Sequence, residues 1–166
     1  MTNDNNRQLT RFNQAKYLFL RSLNETGFNR LELVAQEAIA NEAKRGDLTT
    51  SRLPDSLSFL LQDAVAIESV PGSCSFRFFW KRYTAYLVTE ECVAGGGNFD
   101  DESYEGDRVR IYSNSHFIEH LARDTGGHAG PLIHYKIICQ NQVIDIVAED
   151  HPEIAIIESS SRSYAQ

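Results

Sequence analysis

The chain lacks any apolar run approaching the roughly 20 residues that cross a bilayer as a helix. Its first residues, Met1-Thr-Asn-Asp-Asn-Asn-Arg-Gln, hold neither the basic segment nor the apolar one of a secretory leader. A cytoplasmic protein with no membrane partner is the expectation. Cysteine is scarce: 3 in 166 residues, Cys74, Cys92 and Cys139, with no Cys-x-x-Cys spacing. That pattern points to neither a disulfide framework nor a zinc ribbon, and predicts reduced, mostly buried thiols. Positive charge is also short. With 16 Lys and Arg against 23 Asp and Glu the net charge is −7, the wrong sign of field for generic binding to nucleic acid or an anionic membrane.

What is present is ordinary for a folded soluble protein: 42% hydrophobic and 23% charged residues. A chain of this length buries roughly 68–70% of its unfolded surface as one domain. No linker or repeat divides it. We therefore expect a single domain over residues 1–166, with flexible tails at 1–6 and 159–166.

The firmest local reading is Leu132 to Val147, two β-branched and aromatic runs split by Gln140-Asn141-Gln142. Side chains alternate along a strand, so Ile133, Tyr135 and Ile137 share one side of the first run, and Ile144, Ile146 and Ala148 one side of the second. Bringing both sets to one core requires a loop of even length, Gln140-Asn141. Lys136 then falls opposite Asp145 on the outer face, as an opposite-charge pair worth roughly 0.2–1 kcal/mol, and His134 opposite Val147. That face is only half polar, which makes His134, Lys136 and Asp145 candidate groove residues.

Earlier in the chain, Leu9, Phe12, Ala15, Phe19, Leu20 and Leu23 keep helical spacing up to a Gly27 cap, with Tyr17 and Leu18 off the stripe. Asn29 and Glu32 form a capping box and Phe28 with Leu33 a hydrophobic staple, predicting a second helix to about Arg45. A third is expected from Asp55 or Ser56. Val65 to Val70 reads equally as its continuation or as a strand. Ser75 to Glu90 is long enough for two strands meeting near Trp80-Lys81-Arg82. A surface loop from Ala94 to Asp107, a strand from Arg108 to Tyr112, a helix capped at Ser113 or Ser115, the hairpin and an edge strand near Ile154–Ile157 complete the order. Helices first and strands later is the α+β pattern: N-terminal helices packed on one face of a mostly antiparallel sheet, with one helix inserted between strands.

Three motifs bear on chemistry. His116-Phe-Ile-Glu-His120 is the His-x-x-Glu-His string of inverted zinc peptidases, in which imidazoles one turn apart hold Zn and the carboxylate is the general base. Here that gives His116 and His120 as metal ligands and Glu119 as the catalytic base of a zinc-dependent hydrolase. Against it, Phe117, Ile118 and Leu121 define the inner side of the helix, which turns His116, Glu119 and His120 to solvent. The aromatic and basic stretch 76–83, with Arg77, Lys81 and Arg82, has the composition of a single-strand nucleic-acid surface, but six rings in a half-buried sheet more often form core. Gly95-Gly96-Gly97 fits no phosphate-binding pattern. With no catalytic constellation standing out, the leading expectation is a non-enzymatic protein-interaction or small-ligand pocket-binding module without a cofactor. The off-stripe Tyr17 and Leu18 point to a protein partner or self-association, such as a homodimer, through the N-terminal helices.

Overall fold

The computed structural model of the chain describes residues 3–45, 63–70, 72–94, 101–127 and 130–157. Helix α1 (Asn3–Asn13) is followed by β1 (Tyr17–Gly27), β2 (Arg30–Asn41), a 3-10 turn, and β3 (Ala66–Glu68). Next come β4 (Ser75–Trp80), β5 (Tyr83–Glu90), β6 (Ser103–Glu105), β7 (Val109–Asn114) and α2 (His116–Asp124). The chain then runs through β8 (Ile133–Ile138), β9 (Gln142–Ala148) and β10 (Glu153–Ile157). The strands form two antiparallel sheets, β1-β2-β4-β10 with β3 on the end of β2, and β5-β9-β8-β7-β6.

The α+β class and the inserted helix hold, but the N-terminal helical region is mostly strand. Among the described residues only α1 is α-helical there, and the later part of the first expected helix and most of the second, Tyr17–Gly27 and Arg30–Asn41, pair as a hairpin. Two local features produced the helical signal. A register shift at Arg21 puts Leu20 and Leu23, three residues apart, on the same inner side, so a β-bulge imitates helical spacing. Leu31, Leu33 and Ala35 are fully buried while the alternate residues Glu32, Val34 and Gln36 are not, the alternation of a strand. The supposed capping box is the hairpin turn: Phe28 stands 93% exposed at its tip, and Asn29 takes φ +53°, the left-handed conformation that Asn tolerates better than most residues. Leu18, read as a second contact surface, is core. The body of the third predicted helix, Gly95–Gly97 and the tail from Ser159 lie outside the described residues.

The inner faces of the two sheets meet in one cluster. Leu31, Leu33, Phe76, Phe78 and Trp80 come from the first sheet, and Val109, Tyr135, Ile137, Ile144 and Ile146 from the second. Full burial of each large apolar side chain contributes roughly 1.5–3 kcal/mol. Phe12 of α1 packs its ring edge-on against Phe76 and Phe78, both at 5.0 Å. The helix thereby packs against β10 of the first sheet and β7 of the second.

Side-chain amides tie these layers together. Asn13 Oδ1 accepts hydrogen bonds from the backbone N–H groups of Asp107, Arg108 and Val109. The β8–β9 turn is the two-residue Gln140-Asn141 loop, with Lys136 opposite Asp145 and His134 opposite Val147. Asn141 then behaves as a substitute strand residue on β1, accepting from Leu20 N at 2.9 Å and donating to Leu20 O at 3.1 Å.

Candidate functional site

The outer face of the second sheet is where polar and charged groups collect. β7 passes directly into α2 through Ser115, whose Oγ accepts from Ile118 N at 3.2 Å and so caps the helix. From there α2 folds back over β8. His134 lies beneath it, 1% exposed, stacked on Tyr112 at 4.3 Å and edge-on to Phe117 at 5.5 Å. Its two ring nitrogens meet Ser115 Oγ at 2.8 Å through Nδ1 and Asp145 Oδ1 at 2.9 Å through Nε2.

One direction of donation satisfies every member of this chain. Ile118 N–H donates to Ser115, the Ser115 hydroxyl donates to His134 Nδ1, and His134 Nε2–H donates to Asp145. A neutral imidazole with its proton on Nε2 is therefore the consistent tautomer. A serine, a histidine and an aspartate in series is also the order of groups in a nucleophilic relay. Here, though, Ser115 is buried, its oxygen is occupied by the helix cap, and neither Ser115 nor His134 lines the hollows described below. The chain locks α2 to the sheet.

Beside it stands a different kind of feature. Arg110 and Lys136 are directly opposite each other across β7 and β8, and like charges so placed destabilise a sheet. Lys136 is compensated: Asp145 Oδ1 lies 3.4 Å from its Nζ. Burial alone would pull the ammonium down, yet Asp145 and Tyr112 hold it above the usual lysine range. Arg110 has no carboxylate partner among the described residues, and its buried Nε has no hydrogen-bond acceptor. Its guanidinium is held over the Tyr104 ring at 4.4 Å, as Lys136 is over Tyr112 at 5.4 Å, contacts that orient cations without neutralising them.

These two cations line a cleft of about 220 Å³, completed by Glu91, Ala94, Ile138 and Val143. Arg110 and Ile138 also border a more open hollow of about 440 Å³. Larger hollows of about 620 and 610 Å³ flank α1, but the arginine shared by their walls, Arg11, is neutralised by Glu37 at 2.7 Å. Among the described residues, Arg110 is thus a half-buried cation whose Nε has no acceptor.

No protein family, characterised protein or solved structure matched the chain.

Of the groove residues read from the sequence, His134, Lys136 and Asp145 are brought together, with Asp145 shared between the other two. Sequence reasoning missed Arg110, Tyr112 and the second role of Ser115, because the pairing of β7 with β8 passes through a helix and no turn fixes its register. The signal available was the alternation of Arg110 and Tyr112 with Val109 and Ile111.

The His-x-x-Glu-His string sits on the exposed side of α2. His116 Nε2 meets Asp101 at 2.7 Å and its Nδ1 lies 3.4 Å from Glu119, while His120 Nε2 lies 3.5 Å from Asp124. Among the described residues, no group of three His, Cys, Asp or Glu side chains is placed to hold a metal ion. The aromatic stretch divides as a strand must: Phe76, Phe78 and Trp80 are core, and Lys81 and Arg82 pair with Glu153 and Glu149 at 2.5 and 2.6 Å.

Proposed function

We propose that the protein is a non-enzymatic binding module whose ligand is a small organic carboxylate seated on Arg110 and Lys136. The observation that carries this reading is the pairing of two cations directly across a ladder, one of them without an ion-pair partner among the described residues, in the wall of a cleft. A carboxylate accepts two parallel N–H bonds from a guanidinium and would relieve the repulsion that the free face bears. The remaining wall, Ala94, Ile138 and Val143, suits a short apolar body, and Glu91 disfavours a second negative charge on the ligand. Between the sheets, Trp80, Tyr135, Phe76 and Phe78 are fully buried core, so the reading rests on the outer face.

The reading is tested by thermal denaturation with benzoate, hexanoate or inorganic phosphate. Ligand at 100 times its Kd stabilises by about 2.7 kcal/mol, a rise in Tm of roughly 5–10 °C for a domain of this size. The expected result is a rise with a monocarboxylate, smaller with phosphate and absent in Arg110→Gln. No shift with any of the three, or a shift unchanged in Arg110→Gln, overturns the proposal.

A further inference from the structure

The second sheet ends at β5, which pairs with β9 on one side and, among the described residues, with no strand on the other. Natural edge strands discourage pairing with another chain by carrying Lys, Pro or inward-pointing charge. β5 carries none of these between Tyr83 and Thr89, where all seven residues are uncharged. Leu87 is 51% exposed, with Tyr86 and Val88 each at 37%. The start of β5 is shielded by a register shift at Thr84 and by the Tyr83 N–H, which donates to Asn29 O in the β1–β2 turn at 2.9 Å, and the Tyr86 hydroxyl donates to Glu25 at 3.2 Å.

Charge is placed only at the two ends, and with opposite sign. Lys81 and Arg82 precede the strand, paired within the chain to Glu153 and Glu149 yet each with 63% of its side chain still exposed, and Glu90 and Glu91 close it. We propose that β5 is a self-association edge, pairing antiparallel with β5 of a second copy of this chain and joining two five-stranded sheets into one. With Tyr86 opposite its own counterpart, Arg82 of each copy faces Glu90 of the other, and Lys81 faces Glu91. Both ends of the pairing are then complementary. A parallel arrangement would set cation against cation and anion against anion, so the sequence of the edge selects the two-fold arrangement. A one-residue adjustment at the Thr84 bulge keeps the cationic end against the anionic end. Tyr86 and Val88 stay on one side of the extended sheet and Ala85 and Leu87 on the other.

Lys81→Glu together with Arg82→Glu makes both ends of the edge acidic, and Glu90→Arg together with Glu91→Arg makes both basic, so each variant repels itself and attracts the other. Light scattering after size exclusion should give about twice the 18.8 kDa chain mass for the unaltered protein, the single-chain mass for each variant, and the doubled mass again for an equimolar mixture. A single-chain mass for the unaltered protein at every concentration overturns the proposal. So does a doubled mass that persists in both variants alone, or a mixture that stays monomeric. Amide exchange, which needs no substitution, should slow at Tyr86–Val88 as concentration rises; rates independent of concentration count against the edge.

Discussion

Removing the hydroxyl of Ser115 tests whether the buried polar chain under α2 acts as one unit. Ser115→Ala loses the helix cap to Ile118 N, which by itself costs about 1 kcal/mol. It also strands His134 Nδ1, an acceptor in a ring 1% exposed, and an unsatisfied buried acceptor adds about 1–3 kcal/mol. The expected total is about 2–4 kcal/mol, well above an ordinary cap deletion. His134→Phe keeps an aromatic ring against Tyr112 and Phe117 but breaks both hydrogen bonds, one of them to the Asp145 carboxylate. About 2–4 kcal/mol is expected there. In the double variant the contact between the two is already gone, so the losses should fall short of their sum by about 1–2 kcal/mol. Urea denaturation of all four proteins, extrapolated linearly to water, supplies the numbers. Losses that add within about 0.5 kcal/mol, with Ser115→Ala near 1 kcal/mol, would refute a coupled chain.

Four further outcomes follow from the geometry. Asp101 raises the pKa of His116 above its ordinary 6.5, and His116 lowers that of Asp101 below its ordinary 3.8. The pair's contribution to stability is therefore complete between those values, fading as pH rises through the folded histidine pKa or falls through the folded aspartate pKa. NMR titration should place His116 above 6.5 and return it toward that value in Asp101→Asn; an unmoved midpoint contradicts the pairing. At Gly106, φ is +93° and an added Cβ would lie 2.1 Å from Val109 O. Gly106→Ala should destabilise by more than about 1 kcal/mol, and Asn13→Ala, which frees three backbone N–H groups of the same loop, by about 2–4 kcal/mol; a neutral result for either rejects the described loop. Among the thiols, exposed Cys92 should react with a disulfide reagent in the native state, whereas Cys139, buried and pushed up to about 12, should react only on unfolding.

Legibility in the sequence followed where local pattern and tertiary burial agreed. The β8–β9 register could be derived because the turn has even length and Ile137, Ile144 and Ile146 admit only one buried side. The α2 cap at Ser115 and the division of residues 75–90 into two strands rest on equally local signals. The N-terminal third misled because a bulge at Arg21 and a left-handed Asn29 reproduce, in a hairpin, the spacings of a helix and its cap. Half of the candidate site was readable, since Lys136 and Asp145 face each other within one hairpin. Arg110 was not, since only the docking of β7 on β8, across the intervening α2, sets it against Lys136.

The claim that Arg110 is the unsatisfied centre of a carboxylate site is tested most directly by its own Nε–H resonance in a heteronuclear NMR titration with benzoate. The expected result is a saturable shift of the Arg110 Nε–H signal, accompanied by the amides of Lys136 and Ile138 and weakened in Lys136→Gln. A resonance that stays fixed to the solubility limit of benzoate, or that moves only in proportion to ionic strength, would contradict it.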